Sequence, residues 1–235
     1  MNPREAQPGD LRRHTVQRLL SEAESEPSTA GRVNLLSRRF LGHQYQTNPL
    51  IGSADSPEVF TASLDAFDCV TYVETVLALA RARSVDEFTR WLRAIRYEDG
   101  SVRWERRNHY MTRWIRNNVR QAIIRPISFP VTTIIRERLL NIVPGLPARR
   151  ARIKCVPKAA VPRLYSHLES GDLIFFVSTR KNLDMFHCGI VVRDGKRLLM
   201  RHASRSQASV VEQELGGFLQ ANRMAGVVVV RPREA

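Results

Sequence analysis

The sequence predicts an α+β fold, with helices first and an antiparallel sheet after them. Two observations carry this expectation. Through the first hundred of the 235 residues, apolar side chains recur at intervals of three and four, the period of helices that bury one face. Beyond residue 165 the pattern changes to period two and to β-branched runs, DLIFFVST, MFHCGIVV, RLLMRHAS, ASVVEQ and GVVVVRP. The gaps between these runs are short, and one of them, RDGK, holds an Asp-Gly pair of the kind that closes a hairpin.

Taken in order, residues 10–24 read as an amphipathic helix and 28–41 as a second, with Gly42 as its stop. The stretch HQYQTNPLIGSADSP, rich in turn residues, reads as loop. A helix then begins close to Cys69, where Val70, Val73, Val76, Leu77 and Ala80 line one face. Another covers 85–97, with a capping box from Ser84 to Glu87 and an Asp-Gly stop. RNHYMTRWIRNNV reads as helix with Tyr110, Trp114 and Val119 sharing much of a face. Prolines at 126, 130, 144, 147, 157 and 162 divide the rest of the middle of the chain into short strands and loops. The resulting organisation is an N-terminal helical extension over 1–31 and one domain over 32–235, with a mixed segment inserted at about 85–165.

The net charge of +14, nearly all of it arginine, implies an anionic neighbour such as nucleic acid, anionic lipid or an acidic cell-wall polymer. The basic residues are spread along the chain rather than gathered in one block. No run of about twenty apolar residues suits a membrane span. The first twenty residues show no apolar core of signal-peptide type, so the chain is expected either to be made without a signal or to start after one. As written it reads as cytoplasmic, with periplasmic or exported use left open; its oligomeric state is not legible.

Three cysteines, Cys69, Cys155 and Cys188, are too few and too scattered for a disulfide framework. Cys69 differs from the others in its place. In the first turn of a helix, free N–H groups and the positive end of the helix dipole stabilise a thiolate. The ordinary role of such a cysteine is packing, so companions are needed to argue chemistry. His187 alternates with Cys188 along one strand, and across the RDGK turn His202 shares a face with Leu198 and Met200. A suitable register sets His187 and His202 side by side, both facing the Cys69 helix: a nucleophile, a base and a residue that orients the base.

LGHQY, FDCVTYVE, SGDLIFF, HCGIVV and RHAS occur in that order, and the ordered set resembles the NlpC-type cell-wall hydrolases, which are papain-like cysteine peptidases. LGHQYQTNPL, LDAFDCVTYVE, YMTRWI and HASRSQASVVEQEL narrow the resemblance to the N-acetylmuramoyl-L-alanine amidase-like branch. VTYVE after the cysteine departs from the Ser-Gly pair common in the wider family. The resemblance implies a papain-like fold with Cys69 as nucleophile, His187 as base and His202 as the third polar residue. It also implies Tyr45 near the oxyanion or substrate, Asp68 as a contact to a substrate amine, and no cofactor or metal. The substrate it implies is peptidoglycan or a muropeptide, cut at an amide bond, with cleavage inside the stem peptide and acyl transfer as alternatives.

Two rival classes arise from the residues alone. A zinc site built from the cysteines and histidines is disfavoured, because there is no CxxC or HxxxH pair. A nucleic-acid-binding role would rest on WERRNHYMTRWIRNNVRQ, where arginines interleave with aromatics. The competing reading, an amphipathic helix with aromatics packed inward and arginines solvated, is favoured.

Overall fold

The computed structural model describes residues 12–235; residues 1–11, which include the start of the predicted extension and residues 10 and 11 of the predicted first helix, lie outside the described residues. Helix α1 spans Arg13–Ala23 and α2 spans Thr29–Arg39. Ser28 caps α2 by accepting the Gly31 N–H at 3.0 Å. Strands β1 (Gln44–Tyr45), β2 (Ile51–Ser53), β3 (Ser56–Val59) and β4 (Ala66–Phe67) come next. The region read as loop therefore contains three strands, each of four residues or fewer, too short to show a period of two. Then come α3 (Cys69–Arg81), α4 (Val85–Arg96) and α5 (Met111–Arg120).

Ser84 caps α4 by accepting the Glu87 N–H at 3.1 Å, but the Glu87 carboxylate takes the Arg83 N–H at 2.9 Å, so the predicted reciprocal box is only half formed. The middle segment yields β5 (Ile124–Pro126) and a long hairpin of β6 (Ile134–Leu140) and β7 (Arg149–Pro157). The C-terminal strands are β8 (Leu173–Val177), β9 (Met185–Asp194), β10 (Arg197–Ser204) and β11 (Ser209–Glu214); α6 (Leu215–Ala221) and β12 (Gly226–Pro232) complete the chain.

The strands form a ten-stranded sheet in the order β4-β1-β11-β10-β9-β8-β12-β7-β6, with β5 also paired to β12. All pairs are antiparallel except β1 with β4. The sheet thus recruits two short strands from the helical half, and the protein is a mixed α/β structure rather than helices followed by a separate sheet. The β9–β10 hairpin turns at Gly195, whose φ of +57° suits the Asp-Gly signal.

Two apolar cores lie on the two faces of the sheet. On one face Val16, Leu19, Val33, Leu36, Val76, Leu77, Phe88 and Trp114 from α1 to α5 pack with Phe175, Cys188, Ile190 and Ala203. On the other, Leu215, Phe218 and Leu219 of α6 pack with Phe176, Val191, Leu198 and Met200. The Trp114 ring meets Phe175 at 5.5 Å, while Arg113 pairs with Glu98 at 2.6 Å and Arg120 with Asp99 at 2.9 Å. The arginine-aromatic stretch accordingly turns Trp114 inward, while its Arg106, Arg107, Arg113 and Arg120 meet carboxylates.

Polar contacts fix the helices against one another and against the sheet. Arg96 of α4 pairs with Glu74 of α3 at 2.6 Å with both side chains buried, and Glu74 also accepts the Trp114 indole N–H at 3.1 Å. Arg201 of β10 reaches across to α2, donating to Ser37 Oγ at 2.9 Å and to the Asn34 carbonyl at 2.6 Å. The Tyr72 hydroxyl donates to the Ser37 carbonyl at 3.0 Å, so α2 links β10 to α3. Among the described residues no helix is long and apolar enough to cross a membrane.

Candidate active site

Helix α3 starts at Cys69 because Asp68 caps it. Asp68 Oδ1 accepts the N–H groups of Val70 at 3.0 Å and Thr71 at 2.7 Å, and the Thr71 hydroxyl returns the bond by accepting the Asp68 N–H at 3.0 Å. The Tyr72 N–H goes to the Asp68 carbonyl at 3.1 Å. Of the first-turn donors, the Cys69 N–H alone has no such partner among the described residues. The family resemblance sets Asp68 at a substrate amine; in the structure its Oδ1 is committed to the cap. Desolvation, reinforced by the neighbouring Cys69, lifts its carboxyl to about 6.

Cys69 is partly exposed and free. Its thiol is held well below the usual range by a hydrogen bond from Cys188 and, against the cost of burial, by hydrogen bonding and charge from His187 and by the Cys188 backbone N–H. The Cys188 thiol also lies 3.2 Å from the Cys69 carbonyl oxygen, where it donates. One S–H serves one acceptor at a time, so His187 and the backbone N–H are the steadier supports of the thiolate. Cys188 itself is pushed up, first by its bond to Cys69 and then by burial, and keeps its proton. Cys155, buried in the same core, is raised by desolvation and lies outside this constellation.

The histidines meet as a pair. His187 Nε2 lies 2.7 Å from His202 Nδ1, with the rings edge to face at 4.7 Å. The register that sets Ile190 opposite Arg201 continues to place Gly189 opposite His202, so the two imidazoles are diagonal neighbours. A side chain at position 189 would come within 2.8 Å of Met200, which is why glycine suits the space beside them.

The sequence expectation has both histidines facing the Cys69 helix; the structure sets both rings on the other face of the sheet. Both rings lie on the face covered by α6, where Phe218 stands 5.4 Å from His187 and 5.5 Å from His202. The body of α3 packs on the opposite face, with Cys188 and Ala203. The thiol meets His187 because Cys69 is the first residue of α3. A bulge between Met185 and His187 assists, since Val177 pairs with Met185 and Phe176 with His187, leaving Phe186 and His187 on one side. Burial, and then the neighbouring His187, depresses His202 to about 3, so it is neutral near pH 7.

Tyr45 sits in β1, whose parallel pairing sets it beside Phe67, two residues before Cys69. Burial, followed by the proximity of Cys69 and Asp68, raises its phenol, and Arg205 opposes that rise. The structure thus brings Cys69, Asp68, Tyr45 and His187 together, with His202 joined through His187. Sequence reasoning missed Phe218, Cys188 and Arg205 as neighbours of the site. The LGGFLQ run that carries Phe218 is a single short helix with no period to read. A cavity of about 680 Å³ lies elsewhere, between α5 and the β6–β7 hairpin, and none of these site residues lines it. Among the described residues no cluster of three or more His, Cys, Asp or Glu is placed to hold a metal ion.

Residues 35–227 match the AmiA-like family model, described as N-acetylmuramoyl-L-alanine amidase-like. A structure from Legionella pneumophila is similar at 20% identity, covering 98% of this chain and 97% of its own, with a TM-score of 0.86. An N-acetylmuramoyl-L-alanine amidase from Bacteroides uniformis is similar at 24% identity, over 88% of this chain and 99% of its own, with a TM-score of 0.79. A Bacteroides fragilis structure described as a candidate xylanase has 24% identity over 83% of this chain and 98% of its own, at a TM-score of 0.70. At these identities the likenesses speak to the fold. The sequence matches no curated protein.

Proposed function

The chain belongs to the AmiA-like, N-acetylmuramoyl-L-alanine amidase-like family, and on that footing we propose that it is a cysteine-dependent amidase of peptidoglycan or muropeptides. The observation that carries the reading is a cysteine at the first residue of a capped helix, beside a His187 that lies 2.7 Å from the buried His202; the lowered thiol pKa, from hydrogen bonds with Cys188 and His187, agrees with it. This is the nucleophile, base and orienting group of acyl transfer. The same arrangement is the support for an NlpC-type, papain-like assignment of the site.

In this reading the Cys69 thiolate attacks the amide carbonyl carbon, and the carbonyl electrons move to oxygen. The unpartnered Cys69 N–H, at the positive end of α3, donates to that oxyanion, with Tyr45 beside it. His187, as imidazolium, protonates the leaving amine as the C–N bond breaks. His187 then takes a proton from water, which attacks the thioester and frees the thiolate. His202 Nδ1 accepts the His187 Nε2–H and holds the ring in the tautomer this sequence of transfers needs. Asp68 keeps its second carboxylate oxygen for a substrate amine.

Cleavage between the lactyl group of N-acetylmuramic acid and L-alanine is the bond the family description favours. Mass spectrometry of a defined muropeptide after incubation tests it. The expected products are the free sugar acid and an intact stem peptide. A sugar still carrying a dipeptide would show stem-peptide cleavage instead and remove the amidase assignment.

A further inference from the structure

The β6–β7 hairpin presents a two-row outer face that the hydrolase chemistry does not use. β6 is an edge strand of the sheet. Pairing of Ile135 with Lys154, Glu137 with Arg152 and Leu139 with Arg150 puts those six side chains on one face, while Ile134, Leu140, Ile153 and Cys155 point the other way, toward the core. β6 offers the aliphatic Ile135 and Leu139 on either side of Glu137, which pairs with Arg152 at 3.5 Å, and β7 offers the cations Arg150, Arg152 and Lys154. Ile135 is 53% exposed, Leu139 49% and Ile142, in the connecting loop, 36%; these are three of the four large apolar residues found exposed among the described residues. Residues 134–154 carry six cations and one carboxylate.

We infer that this face docks on an anionic lipid bilayer surface. An aliphatic row beside an arginine-lysine row is what such an interface selects: the apolar side chains enter the headgroup boundary and the cations meet lipid phosphates. Nucleic acid fits less well, because single-strand recognition uses aromatic stacking platforms and this face has none. A second copy of the chain, pairing edge to edge through β6, would bring two strongly cationic hairpins together, and like charges opposed across strands destabilise pairing.

The test is sedimentation of the full chain with phosphatidylcholine vesicles and with mixed phosphatidylglycerol–phosphatidylcholine vesicles, at low and high salt. Binding is expected to the mixed vesicles only, and to weaken with salt. Each cation near an anionic surface is worth about fivefold in partition, so the triple variant Arg150→Gln, Arg152→Gln, Lys154→Gln should bind about a hundredfold more weakly. The charge-neutral double variant Ile135→Ser, Leu139→Ser should lose about tenfold through the apolar row alone. All five side chains are exposed, so unchanged melting curves and circular dichroism should accompany these losses. Equal binding to both vesicle types, no binding to either, or either variant sedimenting like the parent would overturn the inference. Retention on duplex DNA at a salt concentration where the mixed vesicles fail to bind would assign the face to nucleic acid instead. The muropeptide assay is independent of every arm.

Discussion

At the residue scale, the two histidines are assigned unequal work. In the proposed mechanism His187 exchanges protons with nucleophile and leaving group, so its loss removes general acid–base catalysis, typically worth about 10²–10⁴-fold in rate. His202 only holds His187 by one hydrogen bond of 2.7 Å, which an amide can partly replace. His187→Ala is therefore expected to lose nearly all activity, His202→Asn to keep a measurable fraction and His202→Ala less. Initial rates on one muropeptide rank the three; His202→Asn as inactive as His187→Ala, while folded, would contradict the division. The same residue makes a prediction about pH. His202 is depressed from 6.5 to about 3 by burial, so between those values the unfolded chain binds a proton that the native state refuses. Its contribution is fully present above 6.5 and is lost as pH falls, by about 2 kcal/mol at pH 5. His109, depressed to about 4 mainly by burial, acts in the same direction, whereas Asp68, raised to about 6, opposes both. Urea unfolding at pH 7 and pH 5 should show a smaller acid loss in His202→Asn than in the native chain; equal losses would contradict the assignment of the slope to His202.

At the scale of elements, the site depends on how α3 is held. Asp68 fixes where the helix begins, and hence where Cys69 sits. Farther along, Glu74 is bound from two directions, by Arg96 of α4 at 2.6 Å and by the Trp114 indole of α5 at 3.1 Å. Breaking a buried pair leaves an uncompensated charge, so Arg96→Ala is expected to cost about 3–5 kcal/mol, and Arg96→Met with Glu74→Gln much less. Denaturant unfolding checks this, and a loss below about 1 kcal/mol for Arg96→Ala would show that α3 is held mainly by its apolar contacts. The elements also show what the sequence could convey. α3, α4 and α5 were legible because ten or more residues repeat a period, and Cys69 was legible because such a helix begins at it. β1, β2 and β3 were hidden in a turn-rich stretch and β4 just before Cys69, since two to four residues show no alternation.

For the whole molecule, alternation placed His187 and His202 on their strands, but their shared face relative to the helices depends on which layer covers which side of the sheet. That information lies in contacts among residues far apart in the chain. Phe218, from a seven-residue helix, covers the side bearing the histidines, and Arg201 with Ser37 and Tyr72 registers β10 against α2 and α3. The thiol meets the imidazole only because a helix from one layer begins where a strand turns its other face. In the proposed mechanism this meeting point is the catalytic centre, with Cys69 as its nucleophile. The decisive measurement is turnover of a defined muropeptide by the native chain and by Cys69→Ala. Cleavage is expected from the native chain, abolished by thiol alkylation, and none above background from the folded variant; turnover by Cys69→Ala at the native rate would rule out Cys69 as the nucleophile.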